Sequence, residues 1–337
     1  MGFLKAKSVV GLDIDTAEIR AVELGGSIQS PNLVKYGRIP LPDGAVREGM
    51  ISEQEKVQEA LDRLWYDAGF SSRDVILGVS NQGVLVRFAT FPKVASAKVD
   101  KLIRYQAQEH IPFPLSSVVL DYIIVGETAS DTEQFLEVLL VAGKRDIIDS
   151  FLEVVTAADL KVKDIDISSL ALQRFISSAD SKETAAVVNI GDELSSILVV
   201  DKDNPRFART IPTGLKAAEG VFNCSISEIV PAEPERKSVW AEDAVSAWSL
   251  TLAGEINTSL SYYQNQQNVA AINRVFLSGR GARINGLAGK LQDSLELPVL
   301  VIQPFEGISV PAKHEKIKST AQDFAVSAAL ALRGLEV

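Results

Sequence analysis

Asp13, Asp15, Thr16 and Arg20 fall close together in a largely apolar stretch, Val9 to Leu24, and a second such stretch, Val187 to Val200, carries Asn189, Gly191, Asp192 and Glu193. Each is an apolar run, a short polar turn and a second apolar run, the pattern of a β-hairpin. Backbone amides of such turns can point at phosphate oxygens. Two copies facing each other across a cleft would clamp a nucleotide. A third stretch, Val275 to Leu291, ends a strand in Ser278-Gly279-Arg280-Gly281 and starts a helix at or just after Asn285. Glycines there let a flat ligand approach the backbone closely, although most turns of this kind bind nothing.

The elements between these stretches must position them. Residues 33–39 read as a strand, and Pro40-Leu41-Pro42-Asp43-Gly44 as a turn. Ser52 with Glu55 reads as a capping box for a helix that ends near Gly69 and puts Val57, Leu61, Leu64 and Trp65 on one face. Residues 75–79 form a short buried strand. Residues 84–91 (strand), 98–108 (helix), 118–125 and 135–142 (strands) and 146–158 (helix) then make a unit that reads as an inserted subdomain. Its first helix is stopped by Ile111-Pro112-Phe113-Pro114, since proline cannot continue helical bonding.

A strand over 163–167 and a helix over 168–177 lead into the second hairpin. A charged loop over 231–237 precedes a long helix over 239–267, with Trp248, Leu252, Ile256 and Leu260 on one face and Tyr262-Tyr263 packing near its end. A strand over 274–277 and an alanine-rich helix over 322–332, suited to close packing, complete the chain. Strands and helices mix in both halves, so the class is α/β.

The 337 residues suit two domains, with 46% hydrophobic and 23% charged residues as in ordinary globular proteins. A net charge of −10 argues against a nucleic-acid footprint and against direct binding to anionic membrane. The single cysteine, Cys224, excludes an internal disulfide, fits a reducing cytosol and reads as structural. Two histidines, His110 and His314, cannot build a Cys/His metal site. The start, Met1-Gly2-Phe3-Leu4-Lys5, does not read as a signal peptide, and no apolar run spans a membrane. His110 has no catalytic partners in view, Glu109 and Asp121 read as surface acids, and Lys98, Lys101 and Arg104 as a solvated basic face.

The order of two phosphate hairpins and a later Ser-Gly turn resembles the actin-like superfamily of actin, Hsp70, sugar kinases and FtsA. Within the inserted unit, Tyr105-Gln106-Ala107-Gln108-Glu109-His110-Ile111-Pro112-Phe113-Pro114 followed by Val118-Val119-Leu120-Asp121-Tyr122 resembles the type IV pilus assembly protein PilM family. So do Ile165-Asp166-Ile167-Ser168-Ser169-Leu170-Ala171-Leu172 and Ala328-Ala329-Leu330-Ala331-Leu332-Arg333-Gly334-Leu335. The resemblance covers essentially the whole chain. It implies an actin-like (ribonuclease H-like) two-lobe fold with an FtsA/PilM-type insertion. Residues 1–83 and 161–185 would form the first lobe, 84–160 the insertion and 186–320 the second lobe, with 321–337 returning as a helix to the first.

The resemblance also implies site roles. Asp13 sits where the first-hairpin acid holds Mg²⁺ through water, a task for a hard oxygen ligand. Arg20 sits where the family often has a phosphate-contacting lysine, and Thr16 could donate to phosphate. Asn189 and Gly191 would serve from the second hairpin, and Ser278, Gly279, Arg280 and Gly281 beside adenosine. Three departures matter. Asp15 stands where glycine is usual and adds a charge beside the phosphates. Asn189 replaces the second acid. Arg280 interrupts the Gly-Gly turn. Phosphoryl transfer depends on positioning and charge neutralisation, so ATP and Mg²⁺ binding is expected weak or lost, and hydrolysis slow or absent.

The implied function is a cytoplasmic scaffold of a type IV pilus or type II secretion-like machine. It would bind the cytoplasmic tail of a PilN-like inner-membrane protein, communicate with assembly ATPases and reach the membrane only through partners. An extended partner peptide would lie on a strand edge or in an apolar groove of the insertion, with Phe113 and Tyr122 as contacts. The alternatives are an actin-fold ATPase or kinase and an FtsA-like division protein. No sugar-pocket aspartate is recognisable for a kinase, and no amphipathic membrane helix of the FtsA kind follows the alanine-rich helix.

Overall fold

The computed structural model describes residues 8–130, 133–176, 183–232, 242–266 and 269–336. The chain begins with β1 (Val9–Ile14), β2 (Glu18–Ser27) and β3 (Ser30–Pro40), a small hairpin of β4 (Val46–Arg47) and β5 (Met50–Ile51), α1 (Gln54–Ala68) and β6 (Asp74–Val79). Next come β7 (Val84–Pro92), α2 (Ser96–Gln106), β8 (Val118–Ala129), β9 (Gln134–Lys144) and α3 (Arg145–Ala157). They are followed by β10 (Lys161–Ile167), α4 (Ser168–Ala171), β11 (Thr184–Ile190), β12 (Ser195–Asp201) and β13 (Asn204–Ile211). Then follow α5 (Leu215–Phe222), α6 (Ile226–Ile229), α7 (Glu242–Gln264), β14 (Arg274–Ser278), α8 (Leu287–Leu295), β15 (Val299–Val301) and α9 (Ala325–Glu336).

Two five-stranded sheets repeat one topology, β3-β2-β1-β6-β10 and β13-β12-β11-β14-β15. In each, three antiparallel strands are followed by two parallel ones on the far side of the first strand. The register repeats too. Asp13 pairs with Arg20 on one side and Gly78 on the other, and Asn189 with Ser196 and Ser278. Each hairpin turn is closed by the same bond, from the Asp15 N–H to the Glu18 carbonyl and from the Gly191 N–H to the Leu194 carbonyl, both at 3.1 Å. Asp13 and Asn189 are therefore equivalent, as are Asp15 and Gly191.

Strands β7, β9 and β8 form a separate sheet with β9 in the middle, leaving β8 on an edge. Its apolar face, with Phe91, Val138 and Leu140, packs on Ile103 and Ala107 of the α2 segment. Arg206 of β13 reaches across to Glu137 of β9 at 2.9 Å, tying the second five-stranded sheet to this one. The anticipated faces of α1 (Val57, Leu61, Leu64, Trp65) and α7 (Trp248, Leu252, Ile256, Leu260) are buried. A further apolar cluster unites Val9 and Ile76 of the first sheet, Val187 and Leu198 of the second, and Ala329 and Leu330 of α9.

Several expectations need correction. Ser52 does not cap α1: the helix starts after Glu53 with no side-chain cap, because the Ser52 amide is held by the Ala45 carbonyl in the preceding hairpin. The helix at 168–177 is α4 followed by a 3-10 turn, Leu172–Phe175. Tyr263 packs, but Tyr262 is 55% exposed. The start of the last helix is instead the end of a 3-10 segment, Ala312–Phe324, with a kink at Thr320. Residues 233–237 of the anticipated charged loop lie outside the described residues, as does Gln267.

The terminal helix packs closely enough to require glycine at position 11 of its partner strand. A Cβ at Gly11 in β1 would overlap the Ser327 carbonyl and the Ala331 amide nitrogen of α9. Gly11→Ala is expected to cost about 2 kcal/mol by overpacking. Thermal unfolding checks this, and an unchanged melting temperature would contradict the packing.

Candidate functional site

The two turns meet. Hairpin sequence places Asp13 at the end of β1 and Arg20 opposite it on β2, where the antiparallel pairing sets them side by side. Arg20 is 4% exposed and reaches four carboxylates. Its Nη1 lies 3.1 Å from Asp13 Oδ2 and 3.3 Å from Asp15 Oδ2, its Nε 2.6 Å from Glu18 Oε1, and its Nη2 2.9 Å from Asp192 Oδ2. Asp192 belongs to the opposite turn and is fully buried. Its other oxygen accepts from Arg280 Nη1 at 2.8 Å, while Arg280 Nη2 donates to the Val230 carbonyl at 3.0 Å.

Backbone bonds join the same turns. The Asp192 N–H donates to Asp15 Oδ2 at 3.2 Å and the Ala17 N–H to Asp192 Oδ2 at 3.4 Å. Thr16 Oγ1 donates to Glu193 Oε2 at 3.1 Å. Gly191 is required first by its own turn, where a Cβ would lie 2.6 Å from the Leu194 carbonyl oxygen; a Cβ would also crowd Asp15 Oδ2 at 3.1 Å. The network continues outward. Arg38 stands 3.5 Å from Glu18 Oε1 and 2.8 Å from Asp323, which also receives Arg283 at 2.8 Å.

Two guanidiniums, Arg20 and Arg280, therefore face Asp13, Asp15, Glu18 and Asp192, and the excess negative charge divides unequally. Burial pushes Asp192 up from the ordinary 3.8 to about 6, reinforced by the Asp15 charge and opposed by Arg20 and Arg280. Burial likewise raises Asp13 and Asp15 against the pull of Arg20. Glu18 goes the other way. Burial would raise it, but Arg20, Arg280 and Arg38 together hold it at about 2. Arg20 and Arg280 stay charged, since the carboxylates outweigh their burial.

As they stand, these residues do not fit a magnesium triphosphate. The Asp192 amide and the Arg20 guanidinium already have carboxylate partners. Among the described residues no group of three or more His, Cys, Asp or Glu side chains is arranged to hold a metal ion. Arg280, expected beside adenosine, points instead at Asp192. Asn189 Oδ1 and Ser278 Oγ are buried without a hydrogen-bond partner, and a Cβ on Gly279 would lie 2.8 Å from that Asn189 oxygen. Gly279 has φ of 79° and Gly281 presses on Ile190, so both glycines serve the local packing.

The structure thus brings together Asp13, Asp15, Thr16, Arg20, Gly191 and Arg280, with Asn189, Ser278, Gly279 and Gly281 in the adjoining wall. Sequence reasoning gave Asp192, Glu18 and Glu193 no role. All three stand in or beside the turns, but only their juxtaposition across the gap reveals their part. Arg38, Arg283 and Asp323 lie far off in sequence and carried no signal.

A second site opens where two sheet edges run near each other. β8 is an edge of the three-stranded sheet and β10 an edge of the first five-stranded sheet. Between them is a cavity of about 470 Å³ lined by Val119, Asp121, Ile123, Ile165, Ile167 and Arg333, among others. Strand alternation explains the lining. Val118, Leu120 and Tyr122 pack on the α2 side, leaving Val119, Asp121 and Ile123 to the groove. Ile123 and Ile124 are 47% and 46% exposed. Tyr122 reaches the groove as well as that core, but Phe113 lines different, neighbouring cavities and lies under Lys144 Nζ at 4.8 Å from its ring centre. Val119 and Ile123 are the exposed apolar groups that sequence reasoning missed. Among the described residues no helix is long and apolar enough to cross a membrane.

Comparison with known proteins agrees with this architecture. A solved PilM-PilN type IV pilus biogenesis complex contains a chain 25% identical to this one, aligned over 98% of this chain and 99% of that chain with a TM-score of 0.84. The ethanolamine utilization protein EutJ from Carboxydothermus hydrogenoformans matches over 98% of this chain and 91% of that one, at 15% identity and a TM-score of 0.57. MreB5 of Spiroplasma citri matches over 96% and 94%, at 9% identity and a TM-score of 0.51. The last two share the fold alone, which is the expected actin-like one. The profile of the family described as type IV pilus assembly protein PilM matches residues 11–335, and the chain belongs to that family.

Proposed function

We propose that this chain is a cytoplasmic scaffold for a type IV pilus or a related type II secretion-like machine, and that it acts by holding a partner rather than by turning over ATP. The partner is the N-terminal cytoplasmic tail of a PilN-like inner-membrane protein, through which the scaffold associates with the membrane. Family membership and the similarity to a PilM-PilN complex support that choice. The observation that carries the reading is the groove between the edge strands β8 and β10. An edge strand can add an extended segment by backbone hydrogen bonds, and alternate side chains offer it apolar contacts; on β8 the Val118 and Leu120 carbonyls already accept from Arg145 and Arg104, which leaves the stretch around Ile123. Val119 and Ile123 supply those contacts, while Asp121, Asp164 and Arg333 supply polar ones. The self-paired cleft supports a degenerate ATP site, since phosphates would have to displace buried ion pairs.

Calorimetric titration of the full chain with a synthetic N-terminal tail peptide of the accompanying PilN-like protein tests this. The wild type is expected to bind, and Ile123→Asp to weaken binding by about tenfold to a hundredfold, or about 1.4–2.7 kcal/mol. Equal affinity of the variant, or no binding by the wild type, would overturn the reading.

A further inference from the structure

The Asp15 carboxylate has the surroundings of a bound anion. Its Oδ1 accepts the Thr16 N–H at 2.8 Å from its own turn. Its Oδ2 accepts the Asp192 N–H at 3.2 Å from the opposite turn and faces Arg20 Nη1 at 3.3 Å. Amides from two facing hairpins and one guanidinium are a donor set suited to a phosphate bridging the two lobes. Here one side chain of the chain itself takes both amides and shares the Arg20 Nη1 with Asp13. The internal duplication supplies the contrast. The equivalent position in the second hairpin is Gly191, and the bare backbone there leaves the space into which Asp15 projects. The contact is reciprocal, because Asp192 in turn accepts from the Ala17 amide and from Arg20.

We propose that Asp15 is a built-in substitute for a bound phosphate, which holds the two lobes closed across the cleft without nucleotide and excludes phosphate-bearing ligands from it. This rests on the reading of the cleft as a degenerate nucleotide site and deepens it, since one residue both blocks the site and does the bridging that a ligand would do. Removing that side chain frees the Thr16 and Asp192 amides beside Arg20, which keeps Asp13, Glu18 and Asp192 as partners. In the wild type the bridge across the cleft is then present whatever the nucleotide supply.

Hydrogen exchange of the full chain, read at the Thr16 and Asp192 amides, tests the proposal with inorganic phosphate and with Mg²⁺-ATP as probes. In the wild type both amides should exchange slowly, and neither probe should change them. In Asp15→Gly the Asp192 amide should exchange about tenfold faster, and phosphate or Mg²⁺-ATP should slow it again. A response to phosphate alone identifies an anion site, and a response only to Mg²⁺-ATP a nucleotide site; either supports the substitution of a ligand by Asp15. Asp15→Ser, which also removes the carboxylate, serves as the second variant if glycine there prevents folding. Fast wild-type exchange at Asp192 would overturn the proposal, as would variants as slow as wild type and indifferent to both probes. Titrating the same variants with the tail peptide separates this from the scaffold reading. Failure of the exchange test with peptide binding retained would remove the Asp15 role alone, whereas loss of peptide binding in the wild type would remove the scaffold reading.

Discussion

Arg20→Leu will lower folding stability by about 3–5 kcal/mol, the cost of removing one partner from a buried ionic cluster. The guanidinium touches Asp13, Asp15, Glu18 and Asp192, and its loss leaves Arg280 as the nearest compensating charge for Asp192. Arg20→Lys should fall between variant and wild type. An ammonium keeps the charge but cannot present the planar fork that spans two turns. Denaturant unfolding followed through the buried Trp65 and Trp248 gives the comparison. A loss below about 1 kcal/mol for Arg20→Leu, the range of exposed ion pairs, would contradict the geometry.

The contribution of the buried cluster to stability will rise as pH falls from 8 toward 4.5, and then fall, while His314, held below its ordinary 6.5 by burial, subtracts as pH drops below that value. Asp192 binds its proton more tightly folded, at about 6, than unfolded, at 3.8. Its contribution therefore grows as pH drops through 6 and is complete below 3.8, reaching about 3 kcal/mol. Asp13 and Asp15 act in the same direction. Glu18 has the opposite sign. Its folded value of about 2 lies below the ordinary 4.5, so the stability it contributes is present above 4.5 and lost as pH falls through 2. Denaturant midpoints between pH 8 and pH 3 should trace a maximum on the acid side of neutrality, and Asp192→Asn should flatten the rising limb. A steady decline from pH 8 downward would contradict the charge division described above.

The hairpins were legible because each is local. Apolar runs around a short polar turn specify two strands whatever the rest of the chain does, and the repeat of that pattern anticipated two similar halves facing each other across a cleft. The buried faces of α1 and α7 were legible for the same reason, as helical periodicity needs no tertiary knowledge. The alanine content of α9 anticipated close packing, now seen against Gly11. The chemistry of the cleft was not legible. Asp192 stands 177 residues from Asp15, and an acid in a turn has no special meaning until another turn approaches it. Arg20 was expected to contact phosphate; its actual partners are carboxylates. Tyr122 was within reach as a groove residue, but the alternation that sends Val119 and Ile123 to the groove depends on which face of β8 covers α2. The start of α1 was misplaced because the Ser52 amide is tied to the preceding hairpin instead of leading into a capping bond.

Hydrogen exchange along β8 and β10 with and without the tail peptide most directly tests whether the chain works by holding a partner. Slower exchange of the β8 edge amides around Ile123 on adding peptide, with the turns at residues 15–18 and 191–194 unchanged by Mg²⁺-ATP, is the predicted result. Protection of those turns by Mg²⁺-ATP in the wild type, with β8 indifferent to the peptide, would contradict the account.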